Sequence, residues 1–141
     1  MAISFFTHEV SVNLTKRRVL KHFIEQIFKD EGCELSALTY VFCSDEYLLS
    51  INKQFLNHDT YTDIITFPLS EMGDAVVGEV YISIDRVGEN SAKYNTTITR
   101  ELHRVIFHGA LHLCGFKDKS SVEAATMRSK EEHYLREYNI Q

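Results

Sequence analysis

The chain has 141 residues, 44% of them hydrophobic and 25% charged, with a formal net charge of −5. That length suits one domain, spanning 1–141, with a core large enough that neither disulfides nor a structural metal is needed for folding. The acidic balance excludes attraction of nucleic acid by the whole-molecule field, so RNA or DNA must be met by a local basic patch. The three cysteines (Cys33, Cys43, Cys114) are odd in number and form no CxxC pair. They read as reduced, mostly buried thiols in a reducing compartment. The start, MAISFFTHEVS, has no basic segment followed by a long apolar run. No stretch approaches the roughly 20 apolar residues of a membrane span. A cytoplasmic protein without membrane association is expected.

In chain order, Ile3 to Phe6 reads as a first strand. Thr15 is expected to cap a helix on which Val19, Leu20, Phe23, Ile24, Ile27 and Phe28 recur at helical spacing, with Gly32 as its stop. Leu35 to Cys43 alternates as a strand. Asp45 is expected to cap a second helix carrying Leu48, Leu49, Asn52 and Phe55. After a polar loop at Asp59 to Thr62, Ile64 to Phe67 is a strand ended by Pro68, and Gly73-Asp74 marks a turn. Gly78 to Ile84 is a fourth strand and Asp85 to Tyr94 a short helix. Thr97 or Thr99 caps a helix running to about Cys114, and a last helix covers Val122 to Tyr138. The order β-α-β-α-β-β-α-α-α predicts an α+β fold, a small mixed four-stranded sheet covered by about five helices.

The segment that carries chemistry is Phe107-His108-Gly109-Ala110-Leu111-His112-Leu113-Cys114-Gly115-Phe116-Lys117-Asp118. Residues four apart on a helix sit one above the other, so the His108 and His112 imidazoles can converge on one ion. Gly115 lies where a left-handed residue can end the helix and reverse the chain, returning Asp118 as a third ligand. Three ligands leave one tetrahedral position open, the arrangement of a catalytic zinc site with an acidified water. The competing reading is a pair of polar histidines on a solvated face. The burial implied by Ala110, Leu111 and Leu113 favours a metal, because buried histidines without partners are costly.

The spacing H-x-x-x-H-x-x-G-x-x-D is close to the extended zinc-protease motif, with one departure. The position after the first histidine is Gly109, where a protease carries the glutamate that activates water. A phosphodiester needs that glutamate less, because its leaving group is an alcohol and a metal stabilises the phosphoryl oxygens.

At these residues the sequence resembles the YbeY family of bacterial endoribonucleases, the rRNA maturation factors. His108, Gly109, Leu111, His112, Leu113, Gly115 and Phe116 match its histidine motif. Ile51-Asn52, Asp59 and Thr62 to Pro68 are similar to a second stretch, and Gly78 to Ile82 to a third. The resemblance implies a zincin-like fold with the metal site on a central helix. It implies a single-strand-specific, zinc-dependent endoribonuclease acting in 16S rRNA 3′-end maturation and ribosome quality control. Its partners would be single-stranded RNA, from the 16S rRNA precursor, and the ribosome or ribosomal proteins. The family's third metal-binding histidine falls on Asp118 and the acid before it on Lys117. An arginine important for activity in the family falls on Leu56, which cannot hold a phosphate, and His58 is the nearest substitute. Two rivals remain: a non-catalytic ribosome assembly factor with a structural metal, and a metalloprotease with an unusual base.

Thr62 and Asp63 are candidates for the cleft wall, with Asp63 read first as a loop cap. Glu101 lies seven residues before His108, on nearly the same helix face. It reads as a solvated first-turn acid, with a role in orienting a ligand as the alternative. Basic candidates for RNA are Lys16, Arg17, Arg18 and Lys21, then Arg100, His103 and Arg104, and Lys117 and Lys119 at the site rim. Tyr61, Phe67 and Phe116 are candidate stacking rings. The last helix, with Lys130, Glu131, Glu132 and Arg136, reads as an ordinary amphipathic surface helix supported by Glu132 with Arg136.

Overall fold

The structure is a computed structural model that describes residues 2–57 and 62–140. The elements are β1 (Ile3–Thr7), α1 (Arg17–Asp30), β2 (Leu35–Cys43), α2 (Asp45–Leu56), β3 (Ile64–Pro68), β4 (Val76–Ser83), α3 (Ile84–Lys93), α4 (Ile98–Leu113) and α5 (Ser121–Tyr138). This is the expected order of four strands and five helices, and the fold is α+β.

Two caps differ from expectation. Helix α1 starts at Arg17 after Lys16 in a left-handed conformation (φ 53°) without a side-chain cap. The buried Leu14 and the bond from Arg17 Nε to its carbonyl set the entry of the chain, so Thr15 is not the cap. At α2 the cap is Ser44, which accepts from the Tyr47 N–H, and Asp45 is the first helical residue. Of the two candidates at α4, Thr97 is the cap, accepting from the Arg100 N–H. Helix α5 opens with a capping box between Ser120 and Glu123.

The sheet order is β1-β2-β4-β3, with β1, β2 and β4 parallel and β3 antiparallel to β4. Register decides which side chains meet the helices. Leu38, Tyr40 and Phe42 stand beside Gly78, Val80 and Ile82, and Ile64 and Thr66 lie opposite Ile82 and Val80. Opposed residues in a ladder share a face, so Thr66 points to the same side as the buried Val80. That side forms the main core with α1, α4 and α5, while Ile65 joins Leu48 and Ile51 of α2 on the other face.

Helix α4 is buried nearly all round, with Leu102, Val105, Ile106, Phe107, Ala110 and Leu111 each at most 4% exposed. Two features press it against the sheet. The buried Tyr40 hydroxyl donates to the Ile106 carbonyl at 2.8 Å. At Gly109 a Cβ would lie 2.8 Å from Val80 Cγ1 and 3.2 Å from Ile64 Cδ1. The helix therefore touches β4 and β3 through a residue that has no side chain. Gly109→Ala is expected to lower stability by about 1–2 kcal/mol, overpacking outweighing the gain in helix propensity. Urea unfolding of Gly109→Ala, Val80→Ala and the double variant checks this. The double variant should lose less than the two single losses summed.

Candidate active site

His108 and His112 project from the C-terminal half of α4. The helix ends in a Schellman turn: the Gly115 N–H donates to the His112 carbonyl at 3.0 Å and the Phe116 N–H to the Leu111 carbonyl at 3.1 Å. Gly115 sits at φ 105°, a conformation that side chains other than hydrogen resist. The reversal brings Asp118 back over the helix, its Oδ2 3.4 Å from His108 Nε2.

Each histidine is held by its other nitrogen. His108 Nδ1 pairs with Glu131 Oε2 at 2.6 Å, and His112 Nδ1 pairs with Thr66 Oγ1 at 2.8 Å. Thr66 can do this because of the strand register described above. Glu131 corrects the expectation of a solvated face on α5: it is 2% exposed and lies on the buried stripe with Met127, Tyr134 and Leu135. The signal was present in the spacing. Met127, Glu131 and Leu135 are four apart, which puts the acid in the middle of the apolar face. Glu132 is likewise committed to Arg100, at 2.7 Å, rather than to the expected Arg136.

Glu131 and Glu101 share one cation. Arg104 grips Glu101 through two bonds of 2.6 and 2.9 Å and Glu131 through one of 2.9 Å, with Asp63 at 3.8 Å. Glu101 is 2% exposed, so it is not the solvated first-turn acid expected. It orients Arg104, which orients Glu131, which orients His108. Burial opposes the charge on Arg104, but the hydrogen bonds of Glu101 and the charges of both glutamates outweigh it and raise its pKa. Burial likewise works to raise Glu131, yet the hydrogen bond to His108 and the Arg104 charge hold it below the ordinary carboxylate range. Asp63 goes the other way: burial lifts it, against the pull of Arg104 and His108. Asp63 thus lines the cleft with Thr62 and is more than a loop cap.

These groups surround a cleft of about 430 Å³ whose lining holds His108, His112, Asp118, Asp63, Glu131 and Thr66. Among the described residues no three His, Cys, Asp or Glu side chains stand at ligating distance as placed. The donor chemistry nevertheless suits zinc. Both imidazoles have Nδ1 engaged, leaving Nε2 as the available nitrogen on each ring. Burial first, then His108 and Lys119, depress the pKa of His112 against Asp118, favouring the neutral ligand form. The 3.4 Å between His108 Nε2 and Asp118 Oδ2 is close to the roughly 3.3 Å edge of a tetrahedron with bonds of about 2.0–2.1 Å.

The basic candidates divide. Arg100 and Arg104 are tied up in ion pairs, and His103 is buried, its Nδ1 2.7 Å from the Thr99 carbonyl oxygen and its ring stacked on Tyr138. Lys21 lies over the Phe5 ring, and Lys117 and Lys119 are exposed outside the cleft lining. Phe67 packs edge-on against Tyr81 and Phe55, and Phe116 lies beneath Lys130. Leu56 is the last residue of α2, 40% exposed. His58, Asp59 and Tyr61 lie outside the described residues.

Arg104→Met would strand Glu101 and Glu131 in the interior. A loss of about 3–5 kcal/mol in urea unfolding is expected, as for a buried ion pair broken from one side.

The chain matches the model of the family Endoribonuclease YbeY over residues 2–139. It is 46% identical over 133 residues to Endoribonuclease YbeY of Cytophaga hutchinsonii, covering 94% of this chain and 93% of that one. It is 40% identical over 135 residues to that of Flavobacterium psychrophilum, covering 96% of each. The solution structure of TM1509 from Thermotoga maritima superposes with a TM-score of 0.64 at 29% identity, covering 97% of this chain and 91% of that one. With the matched model spanning nearly its whole length, the chain belongs to the Endoribonuclease YbeY family.

Proposed function

We propose that the protein is a zinc-dependent endoribonuclease specific for single-stranded RNA, with His108, His112 and Asp118 as the ligands of one ion. The observation that carries this reading is the fixing of both imidazoles through Nδ1, by Glu131 and by Thr66, on one wall of an open cleft. Family membership supports RNA as the substrate. The cytoplasm is the proposed location and the 3′ end of the 16S rRNA precursor the proposed target, in maturation and quality control of the ribosome. The ribosome or its proteins are the proposed partners. No helix among the described residues is long and apolar enough to cross a membrane.

When bound, zinc supplies a Lewis acid for the phosphoryl oxygen and an acidified water at neutral pH. The protein's residues do the rest. Glu131 and Thr66 set the ring orientations, and a carboxylate on His108 raises its basicity as a ligand. Arg104 keeps Glu131 ionised. Asp118, 46% exposed, stands at the solvent side, where substrate enters. Gly109 lies against Val80 of β4 and Ile64 of β3, so a side chain there crowds the sheet, and the chain has no base at the position where a zinc protease carries one. That favours the nuclease over the metalloprotease reading. The open cleft favours catalysis over a closed structural metal site.

Zinc-supplied protein is expected to cut a labelled single-stranded RNA, and His112→Ala or an excess of zinc chelator to abolish the cut. Equal cleavage by metal-free His112→Ala protein would refute the assignment. In Glu131→Gln, zinc affinity measured against a chromophoric chelator should fall about 10–100-fold. Circular dichroism on the same sample reports whether the fold is kept. An unchanged affinity in a folded variant would remove Glu131 from the ligand-orienting role.

A further inference from the structure

Beside the cleft lies a second groove of about 300 Å³, sharing Asp63, Arg104 and Arg128 with it and walled on the far side by Asn90, Tyr94 and Thr96. The two share a wall at these residues, so a chain leaving the metal-side cleft past Arg128 would meet this groove next. Arg128 differs from the other guanidiniums there. Arg104 is saturated by two glutamates, and Arg100 is bound to Glu132 and to the Ile140 carbonyl. Arg128 is 66% exposed, and its contact is Nε to Glu131 Oε1 at 3.7 Å, an oxygen already held by Arg104 at 2.9 Å. Of the two arginines that line the main cleft, Arg128 is therefore the one with donors to spare. Tyr94 is 58% exposed at the C-terminal end of α3, with the Lys93 ammonium 5.4 Å from its ring centroid. A phosphate needs a charged fork and a base needs a ring face, and the groove presents one of each.

We propose that this groove is a nucleotide subsite. It takes the nucleotide next to the scissile phosphodiester, with Arg128 on the adjoining phosphate and Tyr94 stacking the base. The proposal rests on the endoribonuclease reading and adds to it the path that the strand takes beside the cleft. It places substrate binding on α3 and α5, outside the histidine motif. Asn90 and Thr96 supply polar edges for the sugar or base, and Arg100 serves as wall rather than ligand.

The test uses zinc-supplied full-length protein and a labelled single-stranded octanucleotide RNA. For the octanucleotide, Arg128→Ala should raise KM about tenfold, the loss of one charged hydrogen-bonding contact, with kcat nearly unchanged. Arg128→Lys should recover part of this. Tyr94→Ala should raise KM about fivefold or more and Tyr94→Phe should not, since stacking needs the ring alone. Octanucleotide binding to chelator-treated protein gives a second readout. In Arg128→Ala the slope of log affinity against log salt should fall by about 0.7, one phosphate contact on a single strand. Wild-type cleavage with unchanged KM and salt slope in Arg128→Ala overturns the subsite alone. A fall in kcat with unchanged RNA affinity overturns it too, by moving Arg128 into the chemistry. Absence of both RNA binding and cleavage in the wild type overturns the subsite together with the endoribonuclease reading.

Discussion

Helix α4 can carry the site because it lies against the sheet at Gly109, closer than any side chain there would allow. That approach brings Thr66 of β3 within reach of His112, and lets Val80 and Ile64 fill the space beneath Gly109. A Cβ at position 109 would push the helix off β4 and move both imidazoles relative to the strand. The same glycine removes the position at which a zinc protease keeps its base. One packing constraint thus shapes the geometry of the site and narrows its chemistry.

The second layer is electrostatic. Taking Glu101 and Glu131 out of water is costly, and Arg104 offsets the cost by bonding both. The result is a rigid relay from the first turn of α4 through Arg104 to α5 and back to His108. Such a relay fixes ring orientation more tightly than a solvated histidine would manage. It also leaves the cleft with three carboxyl groups against two guanidiniums, one of them already saturated. A bound cation would suit that balance, and in the proposed subsite an RNA phosphate would pair with Arg128, whose contact with Glu131 is the long one at 3.7 Å.

Much was legible in the chain itself. Element order follows from hydrophobic periodicity and from Gly32, Pro68 and Gly115, because local backbone preferences act over a few residues. The histidine pair and its glycine were legible for the same reason: a helical repeat and a helix-ending residue are short-range facts. What the periodicity hid was the role of acids. Glu101 and Glu131 look like surface residues when charge alone is weighed, yet both are buried. Only Glu131's place between Met127 and Leu135 hinted otherwise. The expected basic patch of Arg100, His103 and Arg104 dissolved because its members are spent on partners, some near in sequence (Glu101, Thr99) and some far (Glu131, Glu132, Tyr138).

The sequence by itself determined the secondary structure, the i, i+4 histidines, the reversal at Gly115 and the family resemblance, all of which depend on residues near one another along the chain. Only the tertiary structure decided that Thr66 meets His112, that Glu131 meets His108 across 23 residues, and that Arg104 joins three acids. Those pairings depend on strand register and on how closely two helices pack. Both are settled by the fit of the whole core, and no local propensity encodes them.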